Sequence, residues 1–122
     1  ALEGVACYLE VKSVTLAEDM QAAGRIALFP DTVSLRAQQH VRELTALARS
    51  GTPSALVFAV QRDDCHAWAP CHERDPEYGR LLREAAAAGV VLVAVVCRLD
   101  VAGACVRFGG TLPIDLDYKW AP

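Results

Sequence analysis

Apolar and polar residues alternate over Cys7–Val14, with Tyr8, Glu10 and Lys12 on one parity and Cys7, Leu9, Val11 and Ser13 on the other. A two-residue period marks a strand with one mostly apolar face. A second apolar run, Ile26–Phe29, follows a polar loop and stops at Pro30 and Asp31, which predicts a hairpin with the first strand. Over Val33–Arg49 the period lengthens. Val33, Ala37, Val41, Leu44 and Ala48 draw one stripe along a helix. Asp31, Thr32 and Ser34 are its candidate N-caps, and Gly51 and Pro53 its stop signals. Ala55–Val60 is continuously apolar, as in a strand buried on both faces, and Gln61–Arg74 reads as a polar loop. Asp75-Pro76-Glu77 opens a second helix with a capping carboxylate, a first-turn proline and another acid; Gly89 ends it. Val90–Cys97 and Ala104–Phe108 read as further strands, and Leu112–Pro122 as a tail. The predicted order is ββαβαββ, a mixed α/β fold with helices packed on a mixed sheet.

Composition agrees with a globular chain. It has 122 residues, 53% of them hydrophobic and 22% charged, consistent with one domain over 1–122. The longest uncharged apolar run, Ala85–Cys97, is too short to cross a bilayer, so no membrane role is expected. No basic start leads into an apolar stretch, so no signal peptide is read. The chain opens on Ala1 close to its first strand, as expected of the C-terminal part of a longer protein. The net charge of −3 excludes a uniformly basic nucleic-acid binder, so any such site is local. Five cysteines, an odd number, predict buried free thiols and a cytoplasmic setting rather than a disulfide scaffold.

The strongest chemical candidate is Glu10-Val11-Lys12. Residues two apart on a strand share a face. A carboxylate there can hold a hard divalent cation, and a neighbouring lysine can orient or activate a water. The triplet alone is better explained as a solvated strand face. Cys65-His66 and Cys71-His72 form a rival zinc constellation, although adjacent Cys-His pairs seldom close one tetrahedron. Trp68 and Tyr78 are either packing residues or platforms for stacked bases.

The stretches EVKSVTL from Glu10, FPDTVSLRAQQHVREL from Phe29, VFAVQRDD from Val57 and DPEYGRLLREAAAAGV from Asp75 change the weighting. In this order, and continuing to Leu112-Pro113-Ile114-Asp115-Leu116, the chain resembles the sugar fermentation stimulation protein A family. That resemblance implies a restriction-endonuclease-like (PD-(D/E)xK) core preceded by an OB-like domain. It also implies binding of DNA, and cleavage of DNA or RNA with Mg²⁺ or Mn²⁺. Carried over residue by residue, Glu10 is a catalytic metal ligand, with the carbonyl of Val11 as a second. Lys12 is the group that positions or activates water. Gln61 orients water or substrate, Arg36, His40 and Arg62 hold nucleic acid, and Asp31 supports the site. A further acidic ligand is expected on a strand upstream of Glu10. Read from the residues alone, Asp31 is as well explained by capping, His40 by packing and Gln61 by a strand-end loop. The alternative function is a non-catalytic DNA-binding or regulatory protein on the same fold.

Overall fold

In the computed structural model, residues 6–20 and 24–119 are described. The elements run β1 (Tyr8–Val14), β2 (Leu16–Asp19), β3 (Arg25–Phe29), α1 (Leu35–Arg49), β4 (Ser54–Val60), β5 (Ala67–Pro70), α2 (Pro76–Ala88), β6 (Val91–Asp100) and β7 (Cys105–Leu112). The fold is mixed α/β, as expected. Two short strands, β2 and β5, extend the predicted order.

The main sheet has the order β1-β4-β6-β7. β1, β4 and β6 are parallel, and β7 returns antiparallel to β6. A parallel neighbour needs a crossover, and α2 lies in the one between β4 and β6. β4 alternates fully buried with half-buried positions, so one face is closed and the other partly open. This corrects the expectation of burial on both faces. A smaller sheet has the order β2-β3-β5. The expected hairpin between the first strand and Ile26–Phe29 does not form. After Thr15 the chain crosses into the smaller sheet, where β2 is the antiparallel partner of β3, while β1 pairs with β4.

The presumed polar loop contains β5, which pairs in parallel with β3. Trp68 at its centre is fully buried and stacks on Phe58, with ring centroids 3.8 Å apart. The tail closes on the same strand: Trp68 N–H donates to the Pro113 carbonyl and Asp115 N–H to the Trp68 carbonyl, each at 2.9 Å.

Both helices begin at identifiable caps. The Ser34 hydroxyl accepts from Ala37 N–H at 3.1 Å, so Ser34 is the α1 cap and Asp31 is not. Asp75 caps α2 by accepting from Tyr78 N–H at 3.1 Å. Gly89 ends α2 with φ 101°, a left-handed turn that favours glycine. Of the predicted stripe, Ala37, Val41 and Leu44 are buried in one core with Val14, Leu56, Phe58, Val60, Leu82 and Ala94, and Ala48 packs against it half-buried, whereas Val33 precedes the helix and is exposed. Ion pairs Arg42–Glu77 and Arg49–Glu84 join the two helices side by side. All five cysteines are free, but only Cys71 is buried: Cys7 precedes the edge strand β1, Cys65 lies in the loop after β4, and Cys97 and Cys105 lie on β6 and β7. No helix among the described residues is long and apolar enough to cross a membrane.

Candidate functional site

The parity of β1 decides what its side chains meet. Glu10, Lys12 and Val14 turn toward α1, and Val14 enters the core. Among the described residues β1 is an edge strand of the main sheet. Its ladder to β4 is anchored by Tyr8 N–H to the Pro53 carbonyl at one end and Gln61 N–H to the Val14 carbonyl at the other. In a parallel ladder one residue in two bonds to a given neighbour. The even positions therefore face β4, and the N–H and C=O of Val11 point to the free edge.

On the helix side, three groups form a tight triangle. Lys12 Nζ lies 3.1 Å from Glu10 Oε1 and 2.8 Å from His40 Nδ1, and His40 Nδ1 is 3.1 Å from the same Glu10 oxygen. Toward a charged lysine, which has only donors, Nδ1 acts as acceptor, whereas toward the Glu10 carboxylate it acts as an Nδ1–H donor, so the tautomer sets which of the two contacts is a hydrogen bond. Lys12 is the most enclosed of the three, its side chain 14% exposed against 35% for Glu10. The ammonium thus sits against a carboxylate and an imidazole at the rim of the core.

His40 reaches this point because α1 is fixed at its start. The buried Asp75 carboxylate accepts from Gln38 Nε2 at 3.0 and 3.1 Å and from Ser34 N–H at 3.3 Å, besides capping its own helix. One side chain therefore ties the N-termini of α1 and α2 together, two residues before His40. Sequence reasoning assigned Asp75 only a cap. Its partner Gln38 carried no signal beyond a polar residue next to the apolar stripe.

The other named residues are placed differently. Arg36, one turn before His40 on the same helix face, is exposed and forms no ion pair among the described residues. Arg62 is tied up: Nε and Nη2 grip Asp64 at 2.6 and 2.7 Å, and Nη1 donates to the Thr15 carbonyl at 3.0 Å. The Arg62 guanidinium, helped by Arg25, holds the Asp64 carboxyl well below the usual carboxylate range. Gln61 is exposed past the end of β4, and its side chain makes no hydrogen bond to Glu10, Lys12 or His40. Asp31 is exposed, and its carbonyl accepts from Arg74 at 2.8 Å. Trp68 and Tyr78 are fully buried, so neither offers a face to a base. Burial, reinforced by the Asp75 and Glu10 carboxylates, pushes the Tyr78 phenol far up.

The Cys-His constellation does not assemble. Cys71 is buried in the smaller sheet's cluster, and His72 Nε2 lies 3.0 Å from the Leu116 carbonyl. Burial, then the Asp64 carboxylate, pushes the Cys65 thiol up to about 11. Among the described residues no three His, Cys, Asp or Glu side chains cluster as a metal cage. Glu10 and the edge carbonyl of Val11 are two hard oxygen donors on one strand. Oxygen donors of this kind are the type that hard divalent cations take.

The family model for the sugar fermentation stimulation protein RE domain matches residues 2–103. This chain belongs to that family. A sugar fermentation stimulation protein homolog of Gloeobacter violaceus is 44% identical over 112 residues, which is 92% of this chain and 44% of the relative. A Geotalea daltonii homolog of the same description is 54% identical over 88 residues, 72% of this chain and 36% of the relative. The solved structure of Pyrococcus furiosus SfsA in complex with Ca²⁺ superposes with a TM-score of 0.80 at 31% identity. That match covers 89% of this chain and 45% of that one. The chain thus spans less than half the length of these family members. The fold it shares with them is compatible with a nuclease-like core.

Proposed function

We propose that the full-length protein binds nucleic acid and hydrolyses phosphodiester bonds at the Glu10–Lys12–His40 site with a divalent cation, Mg²⁺ or Mn²⁺. The observation that carries this reading is the triangle itself: a lysine held against a carboxylate and an imidazole at an open strand edge. The Ca²⁺ in the P. furiosus relative supports a divalent site in the family. Glu10 and the Val11 carbonyl would hold the ion. When bound, it polarises the phosphoryl oxygen and acidifies a coordinated water. Lys12 orients the attacking water and offsets negative charge that develops only in the transition state. With Nδ1 accepting from Lys12, His40 fixes the ammonium and keeps an Nε2–H free to donate. Arg36, in the first turn of α1, holds a neighbouring phosphate together with helix N–H groups. Gln61, Arg62 and Asp31 belong to the rim of this reading, in substrate contact or in shaping the loop. An upstream carboxylate would complete the metal's ligands, and an OB-like domain would add backbone affinity.

A non-catalytic DNA-binding or regulatory role is the second reading. It is favoured by the single carboxylate at the triangle and by the net charge of −3. A Mn²⁺-dependent cleavage assay on the full-length protein separates the two. Lys12→Ala is expected to lower cleavage about 10²–10³-fold with DNA affinity within about twofold. Arg36→Ala is expected to weaken binding and flatten its salt dependence by about one phosphate contact. If the wild type cleaves neither DNA nor RNA with either ion, the catalytic reading falls and the second one stands.

A further inference from the structure

In this acidic chain most arginines face a carboxylate, as in Arg25–Asp64, Arg49–Glu84, Arg80–Glu77 and Arg107–Asp100. Arg74 donates to a backbone carbonyl, and Arg36 stands beside the triangle. Two cations remain, Arg83 and Lys119. Neither forms an ion pair among the described residues. Both line the same cavity of about 480 Å³, with His72, Glu73 and Pro76.

The cavity is built by α2 and the tail. Pro76, Gly79 and Arg83 fall on one stripe of α2, on the flank away from the Glu77 and Glu84 pairs with α1. The His72 ring stands against Gly79, where an added Cβ would sit 2.2 Å from Cε1 and 2.4 Å from Nδ1. Its Nε2–H donates to the Leu116 carbonyl at 3.0 Å, and Arg83 Nη1 approaches the same carbonyl at 3.4 Å. Arg83 is thereby steadied at one nitrogen, and its remaining N–H groups are left without a carboxylate.

We propose that this cavity binds a phosphomonoester. A guanidinium fork and an ammonium lining one recess suit the three oxygens of a terminal phosphate. The volume suits a ligand of mononucleotide size. Glu73 cannot contact the phosphate favourably. It instead accepts from a hydroxyl or amino group on the body of the ligand, which selects an organic phosphate over the bare ion. The same chemistry is presented by a free nucleotide and by the phosphorylated end of an oligonucleotide. The site is separate from the Glu10 triangle and does not depend on the nuclease reading.

The test is calorimetric titration of the full-length protein with adenosine 5′-monophosphate, inorganic phosphate, and one oligonucleotide with and without a 5′-phosphate. Saturable binding of the monophosphate is expected, tighter than inorganic phosphate. It should weaken about tenfold in Arg83→Ala and severalfold in Lys119→Ala, and be unchanged in Lys12→Ala. The Lys119 side chain makes no hydrogen bond among the described residues, so its variant keeps the test valid if Arg83→Ala loosens the tail. Preference for the phosphorylated oligonucleotide over the monophosphate assigns the site to nucleic-acid ends, and the reverse assigns it to free nucleotide. The proposal is overturned if no probe binds saturably, if both cavity variants bind as wild type, or if Lys12→Ala abolishes binding.

Discussion

The two faces of the main sheet are both apolar, yet they have opposite fates. On one, Leu56, Phe58 and Val60 of β4 are fully excluded from solvent beneath α1 and α2. On the other, Leu9 and Val11 of β1, Val91 and Leu99 of β6, and Val106 and Phe108 of β7 lie open, from 55% exposed at Val11 to 74% at Phe108. Hydropathy does not distinguish them. The difference arises because both helices pack as a pair over a single face. The chemistry follows that asymmetry: Glu10 and Lys12 share the parity of buried Val14, so the triangle sits at the rim of the covered face. An exposed apolar expanse of this kind usually marks an interaction surface.

The contrast is sharpest in a pair of phenylalanines. Phe58→Ala removes a ring packed between Trp68 and Phe29 and should cost about 4 kcal/mol. Phe108→Ala on the open face should change stability by less than about 0.5 kcal/mol. Urea denaturation of the two variants measures both, and comparable losses would mean that the outer face is covered in solution. Asp75→Ala tests whether the helix pair is what closes the inner face. It leaves the Gln38 amide and the Tyr78 N–H without their acceptor and should cost about 3 kcal/mol. It should also loosen the His40–Lys12 contact, which is readable in the histidine NMR signals. The smallest effect concerns thiols. Exposed Cys7 should be alkylated well before Cys65 at pH 8. The folded Cys65 keeps its proton up to about 11 against an ordinary 9.0. Its contribution to stability is therefore complete below 9.0 and is lost as pH rises from there through about 11. Equal labelling rates would show that the loop around Asp64 is open.

Elements with a long, clean period were legible. The stripe from Ala37 to Leu44 and the Asp75-Pro76 start both stand where the sequence put them. The short strands were not. β2 is Leu-Ala-Glu-Asp and shows no alternation, while β5 is Ala-Trp-Ala-Pro set among charged residues. Their pairing comes from the sheet they join rather than from local preference. The partner of β1 was misread because neighbours in sequence suggest a hairpin, whereas the register places Lys12 beside Phe58, far along the chain. In the candidate site, the shared face of Glu10 and Lys12 follows from spacing alone. The contact of both with His40, 28 residues beyond Lys12, follows from tertiary packing that no spacing rule reaches. The engagement of Arg62 by Asp64 likewise removes from the free cations a residue that composition counts among them.

The seating of the His72 ring on Gly79 has an evolutionary consequence. With ring atoms 2.2 and 2.4 Å from where a Cβ would stand, positions 72 and 79 cannot both carry a larger side chain without displacing α2 or the tail. The two positions should therefore change together among relatives. Lineages that place a small residue at 72 are free to place alanine, a better helix former, at 79. Lineages that keep a ring at 72 are held to glycine. In this chain Gly79→Ala alone should be penalised, and His72→Ala should relieve that penalty.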